Sequence, residues 1–305
     1  MARNRSTFVI SMTPFDQQER FDEGAFRGHL QRLAASGIGA YVGGAGSGEG
    51  YTLSADERRR VLEIAVEELK GKVPVRAMGV EPRTADEMIA FANVVEDVGV
   101  DAMQVYSLDV GHAGHAFPDE IERYLNDVLS AIEVPAVLST HFSVGYFVPI
   151  PVLVSACERY PHVIGINVTN PDVVYLAQLL KVLDERIEVH TGLMTQALAA
   201  LSLGASGYLS TEGNVVPRLC VEVIDRYRAE DFAGTMAAYG RLLRVSAELF
   251  SFGAGMRTTK AALELLGLPG GIPRRPRLPL ADGAVRAKIA QALDELGIRE
   301  SERIE

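Results

Sequence analysis

The chain has 305 residues, of which 48% are hydrophobic and 23% charged, so it can bury a large core and falls outside the disordered and fibrous classes. Its formal net charge of -10 argues against general binding to a nucleic-acid backbone, and its apolar runs are interrupted well before the roughly 20 residues that a bilayer span needs. Cys157 and Cys220 fall on expected helices without CxxC or Cys/His spacing, which points to inert thiols and away from a disulfide framework or a zinc site.

The opening stretch MARNRSTFVISMTPF runs into a short strand and not into a secretory apolar segment with a cleavage site, so it reads as the start of a cytoplasmic protein. From there, short runs rich in Val, Ile and Tyr recur at 7–11, 38–44, 73–79, 101–106, 135–140, 163–168, 187–190 and 207–210. Each is followed by a segment with helical spacing. That alternation predicts parallel strands joined by crossover helices, and its count fits an α/β (β/α)8 TIM barrel better than a doubly wound sheet.

The helices carry their own punctuation. Thr84 with Glu87 and Ser54 with Glu57 form the spacing of capping boxes, and Gly71 closes the second of these helices. Beyond about residue 220 the strands stop, and 231–250, 257–267 and 281–296 read as three further helices. The expected organisation is a barrel over 1–220 with a helical extension over 221–305 packed on it. The basic stretch PRRPRLP at 273–279 reads as a surface connection, not as a nucleic-acid arm.

In such barrels chemistry sits at the C-terminal ends of the strands. The residues placed there are Thr13, Ser47 and Glu49, Tyr106, Ser139 to His141, Asn167 to Asn170, Thr191, and Thr211 to Asn214. Histidine is a usual acid/base near neutral pH and a common metal ligand. His112 and His115 in GHAGH, His141 and His190, with Asp109 and Glu212 at neighbouring strand ends, leave a metal-assisted site as one open alternative. His29 and His162 read as structural.

The stretch AGSGEGYTLSADERRRVLE (45–63), with MTPF (12–15), VIGINVTNPD (163–172) and LSLGASGYLSTEGNVVP (201–217), resembles the dihydrodipicolinate synthase and N-acetylneuraminate lyase family. The resemblance covers nearly the whole chain and implies a (β/α)8 barrel with three C-terminal helices, assembled as a homotetramer or homodimer. It also implies lyase chemistry on a 2-oxo acid held as an imine by a lysine at the end of strand 6. In this chain Asn167 stands at that position, and an amide nitrogen, its lone pair delocalised, is no nucleophile. None of Lys70, Lys72, Lys181, Lys260 and Lys288 falls at the C-terminal end of a strand.

Other family features are altered as well. Ser139 replaces the strand-5 tyrosine of the proton relay, Gly46 replaces a relay hydroxyl in the strand-2 turn, and the paired tyrosines after strand 4 have no counterpart. The turn of Gly46, Ser47 and Gly48 retains backbone N–H groups and a hydroxyl suited to a carboxylate. Glu49, placed with the binding residues of this turn, reads as an internal acceptor for backbone N–H groups more than as a catalytic base. The expected catalytic set is therefore Asn167, His141 and Ser139. The expected binding set is Gly46, Ser47, Gly48, Glu49, Tyr106, Thr169, Thr191 and Thr211. The ligand is a small carboxylate or carbonyl compound, with neither a cofactor nor a resident metal expected. A lyase of the aldolase or hydratase type without an imine and a non-catalytic ligand-binding paralogue both remain open.

Overall fold

The computed structural model describes residues 3–112, 114–250 and 255–302. The strands are β1 (Ser6–Ile10), β2 (Gly39–Val42), β3 (Val75–Ala77), β4 (Ala102–Val105), β5 (Ala136–His141), β6 (Val163–Thr169), β7 (Glu188–Thr191) and β8 (Gly207–Ser210). They follow one another in chain order in a closed parallel barrel, as the alternation of apolar runs and helical segments predicts. The helices between them are α1 (Glu23–Ser36), α2 (Ala55–Leu69), α3 (Ala85–Val98), α4 (Pro118–Leu129), α5 (Ile150–Arg159), α6 (Val173–Val182) and α7 (Ala197–Ser202). After the last strand come α8 (Pro217–Arg228), α9 (Phe232–Phe250), α10 (Met256–Leu265), α11 (Gly283–Glu295) and α12 (Ile298–Ser301). Among the described residues no helix is long and apolar enough to cross a membrane.

Local chemistry explains the helix ends. Ser54 accepts from Glu57 N while the Glu57 carboxylate accepts from Ser54 N, a complete capping box. At α3 the box is only half formed. Thr84 accepts from Glu87 N, but the Glu87 carboxylate accepts from Arg83 N at 2.7 Å, one residue earlier than the spacing suggests. Gly99 then ends α3 with φ +78°, a left-handed conformation that is inexpensive only for glycine.

The chain forms two compact units, Met1–Thr7 with Arg76–Leu209, and Phe8–Val75 with Ser210–Glu305. In the first, side chains of non-adjacent strands meet across the barrel interior. Arg76 on β3 pairs with Glu188 on β7 at 2.8 Å, Ser6 Oγ lies 2.8 Å from His190 Nε2, and Asn167 on β6 donates from Nδ2 to Gln104 Oε1 on β4 at 2.7 Å. These pairings follow from barrel geometry, in which one interior layer draws its side chains from alternate strands.

In the second unit Asn214 joins strand ends: its Oδ1 accepts from Met12 N at 2.9 Å and its Nδ2 donates to Ile10 O at 2.9 Å. His29 on α1 is fully buried, with Nε2 3.0 Å from the same Oδ1. Cys157 and Cys220 are free and buried, and burial pushes the Cys157 thiol up to about 12, which makes it unreactive.

Burial, with Arg32 nearby, pushes His29 down to about 3, and burial with Arg76 nearby does the same to His190. Unfolded imidazoles titrate near 6.5. Between these values the unfolded chain binds protons that the folded chain refuses, so this contribution to stability is complete above that pH and falls as pH drops below it. Each histidine should cost at most about 1.4 kcal/mol per pH unit in that window. In urea titrations between pH 7 and pH 5, His190→Gln should flatten the loss of stability by one proton's worth; an unchanged slope would contradict the assignment.

Candidate functional site

Five of the expected residues come together in the first unit at the C-terminal ends of β4, β5 and β6. Ser139 pairs in register with Asn167, and His141 with Thr169. Side chains two residues apart on a strand share a face, so Ser139 and His141 form one column and Asn167 and Thr169 another beside it. Tyr106, just past β4, meets His141 edge-on with ring centroids 5.4 Å apart, and its own carbonyl accepts from Tyr124 Oη at 2.8 Å.

Asn167 is only partly satisfied. It is 2% exposed, its Nδ2 donates to Gln104, and its Oδ1 is buried with no hydrogen-bond partner. A buried amide oxygen left without a donor costs about 1–3 kcal/mol. His141 is similar: its Nε2 is buried without a hydrogen bond, and burial pushes the imidazole down to about 4, so the ring is neutral near pH 7. Two such atoms on neighbouring strand ends are what a polar ligand would satisfy. Close packing shapes the same region, because a Cβ on Gly192 would lie 1.9 Å from Thr169 Oγ1.

Thr191, expected to bind ligand, caps its own turn: its Oγ1 accepts from Leu193 N at 3.2 Å. The remaining expected residues lie in the second unit. Ser47 and Thr211 share a hydrogen bond of 3.1 Å. Gly48 and Gly50 admit no side chain, since an added Cβ would lie 2.8 Å from Gly44 N and 2.2 Å from Gly43 O, whereas one on Gly46 would meet nothing within 4 Å. The relay hydroxyl missing at Gly46 is thus not forbidden by space.

Glu49, expected among the binding residues, is fully buried and carries the internal role also read for it. Its carboxylate pairs with Lys260 and accepts from Arg274 N at 3.1 Å. Lys260 is 1% exposed and also donates to Thr13 O and Ile272 O, each at 2.8 Å, so three acceptors take up its three ammonium protons. Burial lowers this lysine to about 8, against the pull of the Glu49 charge. Arg274 of the basic stretch is locked in the same place, with paired hydrogen bonds to Glu57 at 2.7 and 2.8 Å and its guanidinium 4.1 Å from the Phe15 ring centroid.

The histidines do not assemble a metal centre: among the described residues no three His, Cys, Asp or Glu side chains stand together as a ligand set. His115 meets Tyr146 edge-on at 6.5 Å, His112 sits at φ +51°, His190 bonds to Ser6, and residue 113 of GHAGH lies outside the described residues. Glu212 accepts from Ser210 Oγ and Ser246 Oγ, and Asp109 accepts from Gly111 N. Two residues of the site were not read from the sequence. Gln104 was visible only as a polar residue inside an apolar strand, and Glu81 as an acid in the loop after β3, 3.7 Å from His141 Nε2.

Comparison with known proteins places this geometry. The model of the dihydrodipicolinate synthetase family matches residues 4–296. The chain belongs to that family. A 4-hydroxy-tetrahydrodipicolinate synthase of Acidiphilium cryptum is 31% identical over 304 aligned positions, covering 96% of this chain and 98% of the relative. One from Methanopyrus kandleri is 28% identical, covering 94% of each chain. Among solved structures, a prophage protein of the dihydrodipicolinic acid synthase family from E. coli K12, in complex with pyruvate, superposes with a TM-score of 0.88 at 22% identity, over 96% of this chain and 99% of the other. As a dihydrodipicolinate synthetase family member, the chain thus has the family's barrel with the Lys260–Glu49 pair built into its second unit.

Removing one partner of a buried ion pair leaves the other charge uncompensated, at a cost of about 3–5 kcal/mol. Lys260→Met should lose stability on that scale in urea unfolding, and adding Glu49→Gln should recover part of it. A loss under about 1 kcal/mol would show that the pair does not hold the unit together.

Proposed function

We propose that this protein is a lyase of the aldolase or hydratase type that acts on a small 2-oxo acid or related carbonyl compound without forming a lysine imine. The observation that carries the reading is Asn167, which stands where the resemblance puts the imine-forming lysine. It keeps a buried carboxamide with one hydrogen bond, to Gln104, and an unpartnered oxygen. Such a carboxamide cannot add to a carbonyl; its second Nδ2 proton is the group able to donate to a substrate oxygen, while its Oδ1 can only accept, from a hydroxyl or N–H of the ligand.

The lysines support the same reading. Lys70, Lys72, Lys181 and Lys288 are exposed, and Lys260, the buried one, spends its protons on Thr13, Ile272 and Glu49. Ser139 and His141 flank Asn167 on β5 and supply a hydroxyl and a neutral imidazole. Pyruvate, bound by the E. coli relative, is the natural first ligand.

Pyruvate at 100 times its dissociation constant should add about 2.7 kcal/mol of apparent stability, read as a rise in melting temperature. Asn167→Ala should weaken that rise. Borohydride added with pyruvate should leave the mass of the protein unchanged. A reduced adduct on any lysine, Lys260 included, would overturn the imine-free reading, and no melting shift with pyruvate would overturn its substrate class.

A further inference from the structure

The loop between β3 and α3 carries Glu81, to which the reading above gives no role. Its Oε1 lies 3.7 Å from His141 Nε2, the ring nitrogen that has no hydrogen bond. The Glu81 side chain is 23% exposed and that of His141 8%, so the carboxylate is the more accessible of the two. A separation of 3.7 Å is slightly too long for a hydrogen bond, and such contacts commonly tighten when a ligand-free site is filled.

The imidazole also meets the ring of Tyr106 edge-on. The charge that acts on Glu81 is that of Asp109, from the loop after β4, whose Oδ2 lies 3.5 Å from Arg83 Nη2. Asp109 therefore carries its own counter-charge, and His141 is the group positioned to bond to Glu81.

We propose that Glu81 is the general acid/base of this site and that His141 is the positioning residue that donates to it. The inference rests on the reading that the pocket takes a 2-oxo acid. In the simplest step the C–H bond next to the bound carbonyl breaks and its proton passes to the Glu81 carboxylate. The electron pair becomes the C=C bond of an enolate, with the charge on the former carbonyl oxygen. The reverse step returns the proton from the Glu81 carboxylic acid to carbon, so the exchange needs no other reactant.

The ionisation behaviour agrees with this division of roles. Burial keeps His141 neutral near pH 7, which makes it a poor store for the proton. Burial, with Asp109 adding to it, raises the Glu81 carboxyl above its ordinary value against a hydrogen bond from its own backbone N–H, a direction that suits an acid/base.

The test is exchange of the pyruvate methyl protons in deuterium oxide, followed by NMR, beside the pyruvate melting shift of the same samples. The wild-type protein should catalyse exchange with a rate that rises as Glu81 ionises. Glu81→Gln should lower that rate by about a hundredfold or more while keeping the melting shift. His141→Asn should displace the midpoint of the pH–rate curve, and His141→Gln, which keeps side-chain length and an N–H donor, should displace it less, a rescue that a packing role alone would not give. Exchange in Glu81→Gln within threefold of wild type would overturn the proposal. So would a wild-type protein that shows the melting shift but exchanges no faster than buffer. Absence of the melting shift in the wild type would instead remove the pyruvate reading on which the proposal stands.

Discussion

A polar side chain that points into a closed barrel has little water to turn to, so it must find its partner on another strand. This constraint organises the first unit. Arg76 reaches Glu188, His190 reaches Ser6, and Gln104 reaches Asn167, each pair joining strands that are not neighbours in the sheet. The interior is thereby fixed by directional contacts as well as by packing. Against that background the unpaired oxygen of Asn167 and the unpaired nitrogen of His141 matter because they lie on neighbouring strand ends.

The second unit meets the same constraint with full charges. Glu49 and Lys260 have almost no contact with water, and each is also hydrogen-bonded to backbone, Glu49 to Arg274 N and Lys260 to the carbonyls of Thr13 and Ile272. Such a pair contributes less by its net attraction than by the cost of separating it. It fastens α10 and the segment after it to the turn that follows β2. A buried lysine of lowered pKa in a family known for lysine imines invites reading as the nucleophile, yet its hydrogen bonds describe a structural cation.

The repeated unit of this fold was legible in the sequence because it is local. Short apolar runs, Gly-terminated helices and the Ser54 cap each lie within a dozen residues, and all of the expected strands formed within two or three residues of their expected bounds. What was not legible is contact at long separation. Gln104 and Asn167 are 63 residues apart, Lys260 and Glu49 are 211 apart, and nothing in either local stretch announces the other. Arg274 shows the difference well. PRRPRLP looked like a basic surface connection, whereas its first arginine, Arg274, is bound to Glu57, Thr52 O and Glu19 O and lies over Phe15. Glu81 escaped for the opposite reason, since one acid among several in GVEPRTADE acquires meaning only when His141 arrives beside it.

An amide in place of a nucleophilic lysine changes how much catalysis the site can supply. An imine acts as an electron sink through its own bonds, whereas hydrogen bonds can only stabilise the charge that develops on the substrate oxygen. One well-placed donor of that kind contributes about a hundred- to a thousandfold, and one positioned acid/base about a hundred- to ten-thousandfold. Together they give roughly four to seven powers of ten, the low end of what enzymes achieve. On the proposed reading such a site suits a substrate whose own carbonyl already acidifies the neighbouring C–H bond, as in a 2-oxo acid, and would leave a less activated compound bound but unchanged. The same arithmetic explains why a ligand-binding role and a modest lyase share one geometry: the groups that hold the oxo acid are those that would stabilise its enolate, and the difference between the two lies in whether a proton acceptor stands within reach of the carbon.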